Sequence, residues 1–167
     1  MAKHSVLRLD DKLTETFSVR VPAGQHFENG FVAKLGAVEP ANLDVRGALT
    51  ATSGDSVVII GNPAIVKDNN KIGTGMESEY RMEAGEVVRA YRPELNKLVS
   101  ISLEGFINEP AKGNIVVPNG YKLDVVADAP ATGTYFEVVA IEKVGGALAV
   151  NVTHTGTIYA VLETKGV

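Results

Sequence analysis

Glycine and proline punctuate this chain so often, 17 and 7 times in 167 residues, that amphipathic helical periodicity has almost nowhere to run. Apolar residues need about eleven uninterrupted positions to show a helical face. The chain is therefore read as all-β and mainly antiparallel, built as small barrel or sandwich units. Nine segments carry the β-branched and aromatic enrichment of strands: Phe17–Val21, Phe31–Leu35, Ser56–Ile60, Val87–Tyr91, Leu98–Leu103, Tyr121–Ala127, Thr134–Ile141, Ala147–Val152 and Thr157–Leu162. In the first, Phe17, Val19 and Val21 alternate with Ser18 and Arg20, so the apolar three share one sheet face. The run Phe136-Glu137-Val138-Val139-Ala140-Ile141 is apolar at consecutive positions, as in a strand covered on both faces.

Turn residues separate these segments. Pro22-Ala23-Gly24, Asn29-Gly30, Ser53-Gly54-Asp55, Lys67–Lys71, Asn119-Gly120, Ala131-Thr132-Gly133 and Gly145-Gly146 supply the positive-φ and side-chain-capped positions that reversals need. Over the last fifty residues the spacing is that of a meander or small barrel, with the final three strands as consecutive hairpins. Residues 76–84 are good helix formers followed by Gly85, which predicts one short helix with a glycine cap. The organisation expected is an extended N-terminal arm (1–16), a first β unit (17–68), a loop and short helix (69–85) and a second β unit (86–167), or one continuous domain.

The chain has no cysteine, so it offers no disulfide framework, thiolate nucleophile or sulfur-ligated metal. Its three histidines, His4, His26 and His154, stand apart in sequence and form no HxH or HExxH pair, so no metal site is expected. Ser53-Gly54-Asp55-Ser56 contains hydrolase residue types without the Gly-x-Ser-x-Gly elbow and reads as a turn. Gly73-Thr74-Gly75 lacks the third glycine and the lysine of phosphate-binding loops. Asp10-Asp11 cannot act together on a strand, and Glu79 with Glu83 has the pattern of a solvated helix face. No catalytic residue and no cofactor is expected.

Net charge is −4. Before Gly75 the chain has 8 basic and 8 acidic residues, and after it 8 and 12, so neither half presents the basic face that phosphate neutralisation requires. Nucleic acid is not an expected partner. The longest apolar runs, such as Val57-Val58-Ile59-Ile60, fall far short of the roughly 20 residues of a membrane-spanning helix. The N-terminal residues lack the apolar core of a secretory signal, so synthesis in a cytoplasm is expected.

Two kinds of residue stand out as contact candidates. Tyr80-Arg81 and Tyr91-Arg92 join the residue types enriched at the energetic centres of protein interfaces, although Tyr91 half-buried at a strand end with a solvated Arg92 is the simpler explanation. Val6, Leu7, Arg8 and Leu9 belong to a short alternating segment that can add to the sheet edge of a neighbouring subunit or simply fray.

The order of Phe27-Glu28-Asn29-Gly30-Phe31-Val32-Ala33-Lys34-Leu35-Gly36, Glu83-Ala84-Gly85, Val88-Arg89-Ala90-Tyr91-Arg92, Gly113-Asn114-Ile115-Val116 and Tyr121-Lys122-Leu123 resembles the small β-rich head-decoration, or cement, proteins of tailed bacteriophages. It departs at Pro93-Glu94-Leu95-Asn96-Lys97, where related chains carry a Gly-Asp turn. The resemblance implies a non-enzymatic virion protein on the capsid exterior, active as a homo-oligomer, with a homotrimer favoured. Its partner would be the major capsid protein, whose subunits it bridges to stabilise the shell. The competing reading is a carbohydrate- or host-binding β module, such as a head fibre, although sugar platforms usually need exposed aromatic faces and this chain has no Trp. A small hydrolase or lyase with two acidic catalysts is the third.

Overall fold

The computed structural model describes residues 15–62, 81–144 and 157–167, together with the backbone of Val6 and Leu7. Eleven strands are found there: β1 (Val6–Leu7), β2 (Thr16–Arg20), β3 (Val32–Glu39), β4 (Asn42–Leu49), β5 (Val58–Ile60), β6 (Val87–Tyr91), β7 (Leu98–Ser102), β8 (Ile115–Asn119), β9 (Lys122–Val126), β10 (Tyr135–Val144) and β11 (Thr157–Gly166). Five close into a barrel in the order β2-β4-β3-β5-β6, with β6 returning to pair with β2. The other six form a sheet in the order β1-β7-β11-β10-β8-β9. The protein is all-β, and every strand pair is antiparallel except β2 with β4.

The alternation in β2 does what its pattern dictates. Val19 and Val21 are buried and Phe17 packs partly against the same cluster, while Ser18 is exposed. Strands β3 and β5 have apolar residues on both faces because each forms a wall shared by two compartments. Ala33, Val58 and Ile60 point into the barrel with Phe27, Phe31, Met82, Val88 and Ala90. Their neighbours Val32, Val57 and Ile59 turn the other way and pack with Val99, Ile101, Val116, Leu123, Phe136, Val138, Ala160 and Leu162 of the six-stranded sheet. The run Val57–Ile60 is thus an inner strand with a core on each side.

Hydrogen bonds close the seam between the two sheets. Ala51 and Gly120 exchange both backbone bonds, at 2.9 and 2.8 Å, and Val32 N donates to Tyr121 O at 3.0 Å. Thr134 N donates to Asp55 O at 2.9 Å, and its hydroxyl accepts from Val57 N at 3.1 Å. Gly133, with φ +83°, lies so close to Gly54 that an added Cβ would sit 2.3 Å from the Gly54 carbonyl.

The helix expected over residues 76–84 is corrected where the structure describes it. Met82 is fully buried and bridges Phe27, and residues 83–86 form a turn closed by Glu86 N donating to Glu83 O at 3.0 Å. Gly85 has φ +82° and takes the left-handed third position of that turn instead of capping a helix. Burial of Met82 against the barrel outweighs the helix propensity of its neighbours. Residues 76–80 lie outside the described residues, as do the turns at 67–71 and 145–146 and the strand expected at 147–152. Among the described residues the only helical element is a single 3₁₀ turn, Leu103–Gly105.

Two strands were not expected. The Asn, Asp and Gly residues of β4 are poor strand formers held by neighbours on both edges, and β8 contains Pro118, which normally argues against an inner strand.

Candidate interaction surface

Strand β10 has a bulge between Val138 and Ala140, after which Ile141 faces Ala160 and Lys143 faces Ile158 across the ladder. Residues directly opposite share a face, and diagonal neighbours remain within reach of long side chains. Ile141 and Ile158 therefore lie next to each other on the face that carries Ala160 and Leu162 into the core, but beyond its edge. They are 42% and 41% exposed. Strand β8 pairs with β10 back at Phe136 and Glu137, so this end of the β10–β11 hairpin extends past that neighbour. The expectation that Phe136–Ile141 is covered on both faces is corrected: only Phe136 and Val138 of that run are buried, and the run covered on both faces is Tyr159–Leu162 of β11. A second apolar projection is Leu43, 77% exposed, where the β3–β4 ladder loses regular register.

The residues singled out from sequence are dispersed. Val6 and Leu7 pair with Ile101 and Ser100 on the edge of this chain's own β7. Arg8, Leu9 and Tyr80 lie outside the described residues. Arg81 and Arg92 sit toward opposite ends of the β2–β6 ladder, whose register runs from Thr16↔Tyr91 to Arg20↔Val87. Arg81 Nε approaches Glu28 Oε1 at 3.2 Å, and His26 Nε2 approaches the same oxygen at 3.5 Å. Glu28 is buried. Arg92 pairs with Glu15 at 3.0 Å and lies 5.1 Å from the centroid of the Phe17 ring, so it fastens the start of β2. Tyr91 is half-buried at the end of β6.

Arg20 is a site that sequence reasoning missed. Its guanidinium meets Glu39 with two bonds of 2.5 and 2.8 Å and donates to Gly85 O at 2.7 Å. These groups edge a shallow, open groove of about 500 Å³, lined also by Pro22, Gly24, Gly47 and Ala48. Position 20 reads as an outward residue of an alternating strand, and no local signal announces a partner nineteen positions away. The hydrogen bond from Arg20 holds the Glu39 carboxyl below the usual value, and Glu39 raises Arg20 in return.

Asp55 accepts from Lys34 Nζ at 2.6 Å and from the Thr52 amide and hydroxyl at 2.9 and 3.0 Å. The Lys34 bond first, then the two from Thr52, bring its pKa down to about 2. Lys165 is raised mainly by its bond to Glu163, with Glu137 adding to the effect, and burial raises Tyr121. The shifts of Glu39 and Asp55 favour the ionised form and stabilise ion pairs, which is the opposite of a carboxyl poised to exchange protons near neutral pH. Among the described residues no three His, Asp or Glu side chains gather to hold a metal ion; His4 and His154 lie outside them. No helix among the described residues is long and apolar enough to cross a membrane.

No family model, curated protein or solved structure matches this chain.

Proposed function

We propose that this protein is a decoration protein of a tailed-bacteriophage head, which binds the outside of the mature shell as a homotrimer and bridges major capsid protein subunits. It works by binding, without catalysis or cofactor. The observation that carries the reading is the Ile141–Ile158 strip, where a core-facing sheet surface continues into solvent toward the Val144–Thr157 end of the β10–β11 hairpin. Apolar side chains on regular strands make a rigid docking element that loses little entropy on binding. A ligand that binds only the expanded lattice stabilises it by mass action, and many copies bridging neighbouring subunits make a modest contact at each site sufficient.

Sedimentation with capsids of the source phage tests the reading. The protein should pellet with expanded shells and stay in solution with unexpanded ones, and the double variant Ile141→Asp/Ile158→Asp should lose pelleting while keeping its fold. Failure of the wild-type protein to pellet with any shell would overturn the proposal. A second reading, a glycan- or host-binding module on the virion, draws on the groove beside Arg20 and Glu39, whose volume falls in the range of small-molecule sites. Selective binding on a glycan array, abolished by Gly47→Leu in the groove floor, would favour that reading.

A further inference from the structure

The chain has two Asn-Gly dipeptides, Asn29-Gly30 and Asn119-Gly120. In this sequence context asparagine is chemically labile, because glycine has no Cβ to hinder its own backbone nitrogen from attacking the preceding side-chain carbonyl. The Gly nitrogen forms a bond to Asn Cγ, ammonia leaves, and water opens the resulting succinimide to aspartate or isoaspartate. Attack requires that the Gly amide be released from any hydrogen bond and that the Asn carboxamide swing onto it.

The fold restrains both sites, but unequally. Gly30 N donates to Ile60 O at 2.8 Å. Asn29 is buried, and its carboxamide is held from both ends, Nδ2 donating to Asn62 O at 3.0 Å and Oδ1 accepting from Asn62 N at 2.8 Å. Gly120 N is held only by Ala51 O, at 2.8 Å, in an isolated bridge across the barrel–sheet seam. The Asn119 side chain is exposed and makes a single bond of 3.2 Å to Asp124. Releasing Gly120 needs only local opening of that bridge, whereas releasing Gly30 and Asn29 means taking apart the wall formed by β3 and β5.

We infer that Asn119 is a site of spontaneous deamidation, gated by local opening of the Ala51–Gly120 bridge, and that Asn29 is silent while the barrel stays folded. The reaction would damage the hairpin it sits in. Aspartate at 119 places a second carboxylate against Asp124, which already accepts from Asn108 at 2.7 Å, and isoaspartate adds a backbone carbon where Asn119 pairs with Lys122. This inference is independent of the capsid proposal.

Peptide mass spectrometry on purified full-length protein aged in warm, mildly alkaline buffer provides the test, run without urea, in urea below the unfolding transition, and in fully denaturing urea. In the denatured chain the two sites should convert at similar rates. In the native protein Asn119 should convert at least about tenfold more slowly, as expected when reaction waits for an opened minority, and Asn29 more slowly still. Sub-denaturing urea should speed Asn119 and leave Asn29 unchanged, and Asn119→Gln should abolish the faster native signal. Native conversion of Asn119 as fast as in the denatured chain, earlier conversion of Asn29, or acceleration of both sites only together with global unfolding would each overturn the inference.

Discussion

Asp55 shows how single residues hold the seam. Its side chain gathers Lys34 and Thr52, and its carbonyl receives Thr134 from the second sheet. The depressed pKa fixes a sign. The unfolded chain takes up a proton near 3.8 and the folded one only near 2, so the contribution is complete above the unfolded value and disappears as pH falls through the folded one. Solvent screening of this partly exposed pair leaves on the order of 1 kcal/mol at stake. Urea midpoints between those two pKa values should fall with decreasing pH in the wild type and fall less steeply in Asp55→Asn. Across the seam, Gly133→Ala combines a positive φ with a 2.3 Å clash against backbone and should cost about 2 kcal/mol or more. Gly85→Ala has the positive φ alone, with nothing within 4 Å, and should cost about 1 kcal/mol. Urea titration of both variants checks the order.

At the scale of elements, the double-sided strands β3 and β5 make the barrel and the sheet depend on each other. Phe136 is completely buried in the core that Val32, Val57 and Ile59 also line. Phe136→Ala should cost about 4 kcal/mol, and because that core spans both sheets the loss should appear in one cooperative transition by near- and far-ultraviolet circular dichroism. Changing Ile141 and Ile158 to Asp, out beyond the core edge, should cost less than about 1 kcal/mol each. Strand identity was legible wherever β-branched residues cluster: β6 has the bounds read from sequence, β7 ends one residue earlier, and β2 is shifted by one residue at both ends. Gly24, Gly30, Gly54, Gly120 and Gly133 all take positive φ at the turns their neighbours announced. Strand β4 was illegible because Asn42, Asp44 and Gly47 have no strand preference of their own and are placed by β2 and β3. The Ile141–Ile158 strip depends on the bulge at Val139, which flips the register of the residues after it, and no local pattern marks that bulge. Arg20 with Glu39, and Arg92 with Glu15 and Phe17, are likewise products of long-range pairing.

At the scale of the whole molecule, two sheets sharing one core form a stiff body with apolar side chains displayed at strand ends. We propose that those displayed side chains contact other protein subunits and that this binding stabilises an expanded viral shell. The most direct measurement adds purified protein to DNA-filled heads of the source phage prepared without it and records the temperature at which the DNA escapes. That temperature should rise with added protein until the sites are filled, and the Ile141→Asp/Ile158→Asp variant should produce little or no rise. Heads that release their DNA at the same temperature with and without saturating wild-type protein would contradict the account.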